Sequence, residues 1–411
     1  MKRRSFISGI GYSICAAYLS GISSSCRKHD EQVYTGGNPF NPINNNQSRM
    51  IDSTILYDDF NGGSLDSSWS VSGVATASIA DSYLKLTGGS LSDRIINSAS
   101  SLTKRLIYEV KIKIINTEDD YLMFGIEWTT GNILAQVHFS DLGGLWQLVD
   151  GEGGMGSVPP QPVSVNDDVI LRIIRNDYDF IYEIENLTKQ NKSSVTYTYE
   201  NIKATSNYTL PRESQFFLKP FSGSINIDWV RVRNEEYQNA DLMLIGHSIM
   251  DGCDAGAAAH TILERLQAAR PENTFSLFAE SGATTSRIAS FLNSITELSP
   301  KRAVVLFGTN ELLGGFSASE YIRDLKKLVT ALENAQISVK ICNVPPVDTG
   351  HSSEVESYNF VMNSEQAFAG KIIDIYSELK GLNGELVQTT DGFHPTAPGL
   401  EKIFTKINAA F

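Results

Sequence analysis

The sequence predicts a multidomain fold, with an all-β sandwich or jelly roll over residues 49–236 and an α/β domain over residues 240–411. Two observations predict it. In the first segment apolar and polar positions largely alternate, and clusters of Gly, Asn, Asp and Ser interrupt the runs, which is typical of many short strands. In the second segment short apolar runs alternate with helical patterns, which indicates three layers, a parallel sheet with helices on both faces.

An export signal is predicted over residues 1–26. Basic residues 2–4 precede a mildly apolar stretch that ends near residue 22, and the Gly and Ser residues within it argue against a permanent membrane span. The run Arg-Arg-Ser-Phe-Ile from residue 3 resembles a twin-arginine signal. Three serines then lead to Cys26, and this arrangement resembles a bacterial lipoprotein processing site. The resemblance implies that Cys26 is lipidated and becomes the mature N-terminus; the alternative is simple cleavage, with Cys26 incidental.

Residues 27–48 are polar and rich in Asn, Gly and Pro, which predicts a flexible linker without a core of its own. We therefore expect an exported protein, lipid-anchored in the bacterial cell envelope, in the periplasm or on the cell surface. The formal net charge is −13 and no stretch clusters Lys and Arg, so nucleic acid is excluded as a partner. Contact with a membrane is expected only through the lipid anchor.

The sequence gives no sign of a metal or a cofactor. It contains no Cys-x-x-Cys pair, and its six histidines do not follow the spacing of zinc ligands. Apart from the two cysteines of the N-terminal signal, the chain holds Cys253 and Cys342. Export would permit a disulfide between them, and two free buried thiols are the alternative.

The β segment resembles a concanavalin A-like (laminin G-like) sandwich at both ends. Residues 57–60 (Tyr-Asp-Asp-Phe) resemble its opening, and residues 227–232 (Ile-Asp-Trp-Val-Arg-Val) resemble its closing strand. The resemblance implies glycan binding or glucanase activity. A retaining glucanase needs two carboxylates about 5–5.5 Å apart across the sugar. The nearest approach, residues 183–185 (Glu-Ile-Glu), falls short, so catalysis is not expected in this half.

All four tryptophans, which are Trp69, Trp128, Trp146 and Trp229, lie in the β segment. Aromatic rings stack on sugars, but in a sandwich they more often fill the core. We expect core positions for most of them. Glycines flank Trp146, which makes it the candidate for an exposed ring.

In the α/β segment the strands alternate with helices. Strands are predicted at 242–245, 274–278, 303–307, 338–342 and 372–375, and helices at 257–269, 284–297, 318–335, 353–368 and 397–409. Active sites in such sheets form at the carboxyl ends of the strands. Three short motifs follow strand ends there, and a fourth lies near the C-terminus.

Each motif has a chemical and a plain structural interpretation. Ser248 follows the first strand, where a serine is exposed at the start of a helix. It is either a nucleophile or only the N-cap of that helix. Gly282 follows the second strand, where it presents a backbone N–H to a ligand or only turns the chain. Asn310 follows the third strand, as a donor to an oxyanion or only as a cap. Asp391 and His394 are three residues apart, so the carboxylate can orient the imidazole as a base, or the two only form a polar turn before the last helix.

These four blocks resemble the SGNH (GDSL-like) hydrolase family, which is named after Ser, Gly, Asn and His. The resemblance covers about residues 240–411 and implies a flavodoxin-like parallel sheet. It implies Ser248 as nucleophile, His394 as general base and then acid, and Asp391 as the residue that orients His394. The backbone N–H groups of Ser248 and Gly282, with the side chain of Asn310, would form the oxyanion hole.

One position departs from the family pattern, since His247 stands where Asp usually precedes the serine. We expect His247 to be structural or to face the substrate. Two other enzyme classes are excluded. An α/β-hydrolase motif would need glycine where Met250 stands, and the glycine-rich loop of a nucleotide-binding site is absent from the sequence.

The sequence thus predicts an exported serine ester hydrolase acting on an acylated small molecule or glycan. Two-domain carbohydrate acetylesterases show a similar domain order, so removal of O-acetyl groups from a carbohydrate is the leading hypothesis. A lipase, lysophospholipase or thioesterase for longer acyl chains is the alternative. A cell-surface glycan-binding protein with an inactive hydrolase domain is the alternative of another class.

Overall fold

The computed structural model describes residues 49–72, 76–87, 94–101, 105–114, 121–128, 133–140, 146–150, 155–156, 163–198, 214–222 and 224–411. All of them belong to one compact unit. The predicted export signal, Cys26 and the linker lie outside the described residues. No helix within this described part of the chain is long and apolar enough to span a membrane.

The first half of the described chain consists of strands. They are β1 (Arg49–Asp58), β2 (Trp69–Ser72), β3 (Thr76–Ala80), β4 (Tyr83–Thr87), β5 (Arg94–Ser101), β6 (Arg105–Lys113), β7 (Tyr121–Trp128), β8 (Ile133–Ser140), β9 (Trp146–Asp150), β10 (Met155–Gly156), β11 (Asp168–Asn176), β12 (Asp179–Asn186), β13 (Asn191–Thr198), β14 (Ser214–Ser222) and β15 (Ser224–Gln238). They pair antiparallel in two sheets. One runs β13-β12-β11-β6-β15-β4-β3, with β1 also on β15, and the other runs β10-β9-β8-β7-β14-β5-β2.

One apolar core joins the two sheets. Tyr108 of β6 lies between two rings of the other sheet, 5.2 Å from Phe124 and 5.4 Å from Phe216 between ring centroids. Its hydroxyl donates a hydrogen bond to the carbonyl of Phe217 at 3.1 Å. Tyr108 lies in this core with Leu106, Val110 and Ile112, which are every second residue of β6, as a two-residue period requires. The arrangement is consistent with the predicted β-sandwich, and its jelly-roll topology stays a prediction.

The tryptophans of this half divide as far as they are described. Trp69 is buried and its indole N–H donates to Asp58 at 2.9 Å. Trp229 packs against the ring of Tyr57 on the outer face, and the guanidinium of Arg231 lies 5.3 Å from its ring centroid. The side chains of Trp128 and Trp146 lie outside the described part, so the predicted exposure of Trp146 stays a prediction.

The second half alternates strands and helices. The strands are β16 (Leu242–Gly246), β17 (Phe275–Ala279), β18 (Arg302–Leu306), β19 (Ser338–Cys342) and β20 (Ile372–Ile373), and the helices are α1 (Ile262–Ala269), α2 (Thr285–Ala289), α3 (Leu292–Glu297), α4 (Thr309–Leu313), α5 (Ala318–Asn334), α6 (Ser352–Ser364), α7 (Tyr376–Leu379) and α8 (Ala397–Ala410). All strand pairs are parallel, in the order β17-β16-β18-β19-β20. Every residue of β16 is buried, as expected for a central parallel strand. The predicted α/β fold is confirmed.

Several predicted helix bounds are wrong. The helix predicted over 284–297 is two helices, because the Ser290 hydroxyl bonds the Arg287 carbonyl and ends α2. The helix predicted from 257 begins at Ile262, after a 3-10 turn, where the Thr261 hydroxyl accepts from the N–H of Glu264. The short helices α4 and α7 were not predicted, since they are too brief for a helical period to show.

Candidate active site

Ser248 lies two residues beyond the end of β16, in a tight loop over residues 247–253 that we call the serine loop. Backbone hydrogen bonds close it, from Asp251 N–H to His247 O at 3.0 Å and from Cys253 N–H to Ser248 O at 2.9 Å. No α-helix begins at Ser248 in the described chain, so neither the predicted helix start nor the N-cap alternative applies. The side chain is 5% exposed rather than open to solvent.

The side chains of Ser248, His394 and Asp391 form a continuous chain of short contacts. His394 Nε2 lies 2.8 Å from Ser248 Oγ, and His394 Nδ1 lies 2.6 Å from Asp391 Oδ2. The other carboxylate oxygen of Asp391 accepts the backbone N–H groups of Phe393 and His394, both at 2.8 Å. A carboxylate beside Nδ1 favours a proton there, which leaves the Nε2 lone pair free to accept the serine proton.

The charges of this group support each other. Burial by itself raises the pKa of Asp391, but hydrogen bonds from the His394 ring and from two backbone N–H groups outweigh it and hold the pKa well below its usual range. Burial likewise opposes the charged form of His394, but Asp391, and next the thiol of Cys253, raise the pKa of His394 above its ordinary value. An imidazolium formed by transfer of the Ser248 proton would therefore be stabilised.

Gly282 and Asn310 follow the two strands on either side of β16. Gly282 is solvent-exposed and has a φ of +75°, a conformation that disfavours other residues. The Asn310 side-chain N–H donates to the carbonyl of Ala283 at 2.8 Å, so the amide lies beside the Gly282 segment. This bond uses one of the two amide N–H groups of Asn310, and the other can serve an oxyanion. Their role in an oxyanion hole stays a prediction.

Glu311 joins these two segments, a role that the sequence did not indicate. It is 3% exposed, and its Oε1 accepts the backbone N–H of Thr285 at 2.6 Å and the Thr285 hydroxyl at 2.7 Å. Its Oε2 accepts the N–H of Gly308 at 3.0 Å. A buried carboxylate with three donors fixes the loops after β17 and β18 against each other. Its position beside Asn310 was visible in the sequence, but its partners were not.

His247 is fully buried. Its Nδ1 accepts the N–H of Ile249 at 3.3 Å, and its ring packs edge-on against Phe307 at 6.1 Å. Burial, and then the neighbouring charge of His394, lower the pKa of His247 to about 3, so the ring stays neutral. Of the two expected roles, the structural one agrees with this position, and the substrate-facing one does not.

The second half also holds two thiols and a second acid–histidine pair. Cys253 and Cys342 are buried free thiols, so the disulfide alternative is wrong. Asp348 Oδ1 lies 2.7 Å from His351 Nδ1, a second Asp-x-x-His pair, and a Cβ on Gly392 would lie 3.4 Å from Asp348 Cβ. Within the described residues, no group of three or more His, Cys, Asp or Glu side chains is arranged to hold a metal ion.

Comparison with known protein families gives a match to the second half of the chain. Residues 244–402 match the model of the GDSL-like Lipase/Acylhydrolase family. No protein of curated function matches the chain.

Solved structures with similarity to this chain include a GDSL-like lipase from Bacteroides thetaiotaomicron VPI-5482, with 19% identity over 41% of this chain and 86% of the other and a TM-score of 0.36. A lipase/acylhydrolase from Enterococcus faecalis has 19% identity over 41% of this chain and 93% of its own, with a TM-score of 0.36. The acetyl xylan esterase AlAXEase has 14% identity over 41% of this chain and 98% of its own, with a TM-score of 0.37.

Proposed function

We propose, from the GDSL-like lipase/acylhydrolase domain of residues 244–402, that the protein is an exported serine ester hydrolase that removes O-acetyl groups from a carbohydrate. The observation that carries the esterase part is the contact chain of Ser248, His394 and Asp391, with 2.8 Å and 2.6 Å between successive side chains. Its geometry matches the nucleophile, base and orienting acid of an acyl-transfer site.

In the first half-reaction Ser248 Oγ attacks the ester carbonyl while His394 Nε2 takes its proton. The negative charge that forms on the carbonyl oxygen is held by the N–H groups of Ser248 and Gly282 and by the Asn310 amide. His394 then gives the proton to the alcohol oxygen, which leaves. Water attacks the resulting acyl-serine, with His394 again as base, and the acid is released.

The carbohydrate part of the proposal is supported by architecture. Two antiparallel sheets, formed by a segment whose sequence resembles a concanavalin A-like sandwich, lie in one compact unit with the α/β half, and their last strand runs to Gln238, four residues before β16. Two aromatic rings, Tyr57 and Trp229, lie on the outer face of this sandwich, with centroids 6.5 Å apart and planes tilted by 38°. Such rings are suitable for stacking on sugars. Export and lipidation at Cys26 complete the proposal and would hold the enzyme at the cell envelope.

The test compares acetyl, butyryl and octanoyl p-nitrophenyl esters, followed by acetate release from acetylated polysaccharides. We expect the acetyl ester to be hydrolysed with the highest kcat/KM. Ser248→Ala should lower kcat by about 10⁴–10⁶-fold. Ser364→Ala, which removes an exposed hydroxyl on α6, is the matched control and should change nothing.

Two results would contradict the proposal in different ways. A clear preference for the octanoyl ester would show an enzyme for longer acyl chains, a lipase or thioesterase. Equal inertness of the unmodified protein and of Ser248→Ala on every substrate would favour the glycan-binding protein with an inactive hydrolase domain.

A further inference from the structure

The turn between β11 and β12, residues 177–178, extends from the sandwich into the core of the hydrolase half. Tyr178 is 3% exposed and belongs to the same buried cluster as Leu244 and Ile249, which flank the start of the serine loop. Its hydroxyl donates a hydrogen bond to the carbonyl of Asp251, in the middle of that loop, at 3.0 Å. A side chain of one half thus bonds the backbone that carries Ser248 in the other.

The sandwich holds this turn firmly. The guanidinium of Arg105 forms an ion pair with Asp177 at 2.6 Å, and both side chains are buried. The side chain of Arg175 also donates to the carbonyl of Asp177 at 3.3 Å. Because Arg105 and Arg175 fix the turn at Asp177, the Tyr178 ring is held in a defined position.

The serine loop has little room for adjustment at this contact. Gly252 has a φ of +88°, and a Cβ there would collide with the side chain of Thr261 and lie 3.3 Å from the Tyr178 hydroxyl. The carbonyl of Asp251 and the N–H of Cys253, which bonds back to Ser248 O, are close along this backbone. A shift at Asp251 is therefore passed to the Ser248 backbone, whose N–H is a proposed oxyanion donor.

We propose that Tyr178 is a positioning residue for the hydrolase site, supplied by the sandwich. Its hydroxyl fixes the carbonyl of Asp251 and thereby the serine loop, so that Ser248 Oγ and its N–H are aligned with His394 and the reacting carbonyl. The sandwich is then part of the catalytic architecture in addition to any role in holding glycan. This inference rests on the proposed esterase function.

The test compares Tyr178→Phe with Tyr108→Phe. Both variants remove one buried hydroxyl that donates to a backbone carbonyl, at 3.0 Å and 3.1 Å, but only the first bond reaches the serine loop. We expect Tyr178→Phe to lower kcat for the acetyl ester about ten-fold with KM nearly unchanged, because a small misplacement of reacting groups is costly. Tyr108→Phe should keep the kcat of the unmodified protein, and both variants should lower the melting temperature by similar amounts.

Hydrogen exchange gives a readout that does not depend on activity. We expect a peptide covering residues 247–254 to exchange faster in Tyr178→Phe than in the unmodified protein, and at the unmodified rate in Tyr108→Phe. Equal kcat values and equal exchange in the two variants would overturn the inference. An unmodified protein that hydrolyses no ester would contradict the proposed function instead, and the exchange comparison would still decide whether Tyr178 holds the loop.

Discussion

Both halves of the molecule pair acidic with basic side chains, but the partner of the carboxylate differs between them. On the outer face of the sandwich Glu109 accepts from Arg172 at 2.9 Å and from Arg231 at 2.6 Å. Arg172 also bonds Glu183 and Glu185. In the α/β half Asp391 meets the imidazole of His394, whose other nitrogen faces Ser248.

The difference lies in what remains available for chemistry. Arginine stays charged at all relevant pH values and has no acceptor, so a carboxylate that it holds is an inert structural anion. Imidazole changes charge near neutral pH, so the carboxylate beside His394 sets the basicity of a group that can move a proton. Glu183 and Glu185, the pair nearest to a glucanase pattern, are held by Arg172, and Lys192 also pairs with Glu183.

The largest expected effect is on kcat and follows the loss of the imidazole in the α/β half. His394→Ala should lower kcat by about 10⁴–10⁶-fold, because Ser248 then has no base. Glu109→Gln, which removes a charged carboxylate from the sandwich, is the matched variant and should leave kcat within about two-fold. Both values come from steady-state hydrolysis of the acetyl ester. Comparable losses of kcat in the two variants would contradict the division of roles.

The next effect concerns the acid limb of the pH profile. In the proposed mechanism neutral His394 is the active form, and the contact with Asp391 raises its pKa above 6.5, so activity should fall as pH drops through a value above 6.5. Asp391→Asn removes the largest raising contact and should move this limb to lower pH, with kcat reduced about 10³–10⁴-fold. The measurement is kcat/KM between pH 5 and 10 for both proteins. A limb that stays in place would remove Asp391 from the orienting role.

A smaller effect concerns the carboxylates that Arg172 holds in the sandwich. Arg172→Met takes the shared cation from three carboxylates and should lower the free energy of unfolding by about 2–4 kcal/mol, since buried acids lose a partner. Urea unfolding measures this loss, and kcat of the remaining folded protein should be unchanged. Lys192→Met, which removes a half-exposed partner of Glu183, is the milder control and should cost under about 1 kcal/mol.

The smallest effect lies where the halves meet. Glu236 is buried, and this burial raises its pKa to about 8 even though Arg105 nearby lowers it. The folded protein therefore keeps this proton while the unfolded chain loses it, so stability should decline as pH rises from about 4.5 to about 8. Glu236→Gln should flatten this decline, because the amide has no proton to lose. Melting temperatures of the unmodified protein and of Glu236→Gln at pH 5 and pH 8 give the decline of each, and the variant should show the smaller one. Equal declines would contradict the prediction.

The sequence revealed those parts of the site that follow from topology. In a parallel sheet the carboxyl ends of neighbouring strands meet, so Ser248, Gly282 and Asn310 could be expected together from strand order alone. The spacing of Asp391 and His394 made their contact a matter of local geometry. The burial of His247 was left open, because a residue beside a strand end can point either into the core or into the cleft.

The rest depended on contacts between distant segments. Tyr178 follows β11, in a segment where the sequence predicts strands. Nothing in the local sequence indicates that its ring enters the core of the other half. The partners of Glu311 and Arg172 are likewise set by register between strands and loops, which residue types alone do not specify.

The pairing of β1 with β15 has a consequence for how the chain is made. Arg49 pairs with Gln238 at one end of this ladder and Asp58 with Val230 at the other. During synthesis the first strand of the sandwich therefore waits for its partner until residue 238 has left the ribosome, and β16 follows only four residues later. Such non-local closure is slow. The unpaired edge of β1 is open to other chains in the meantime, so a nascent chain stopped before residue 230 should be prone to aggregate.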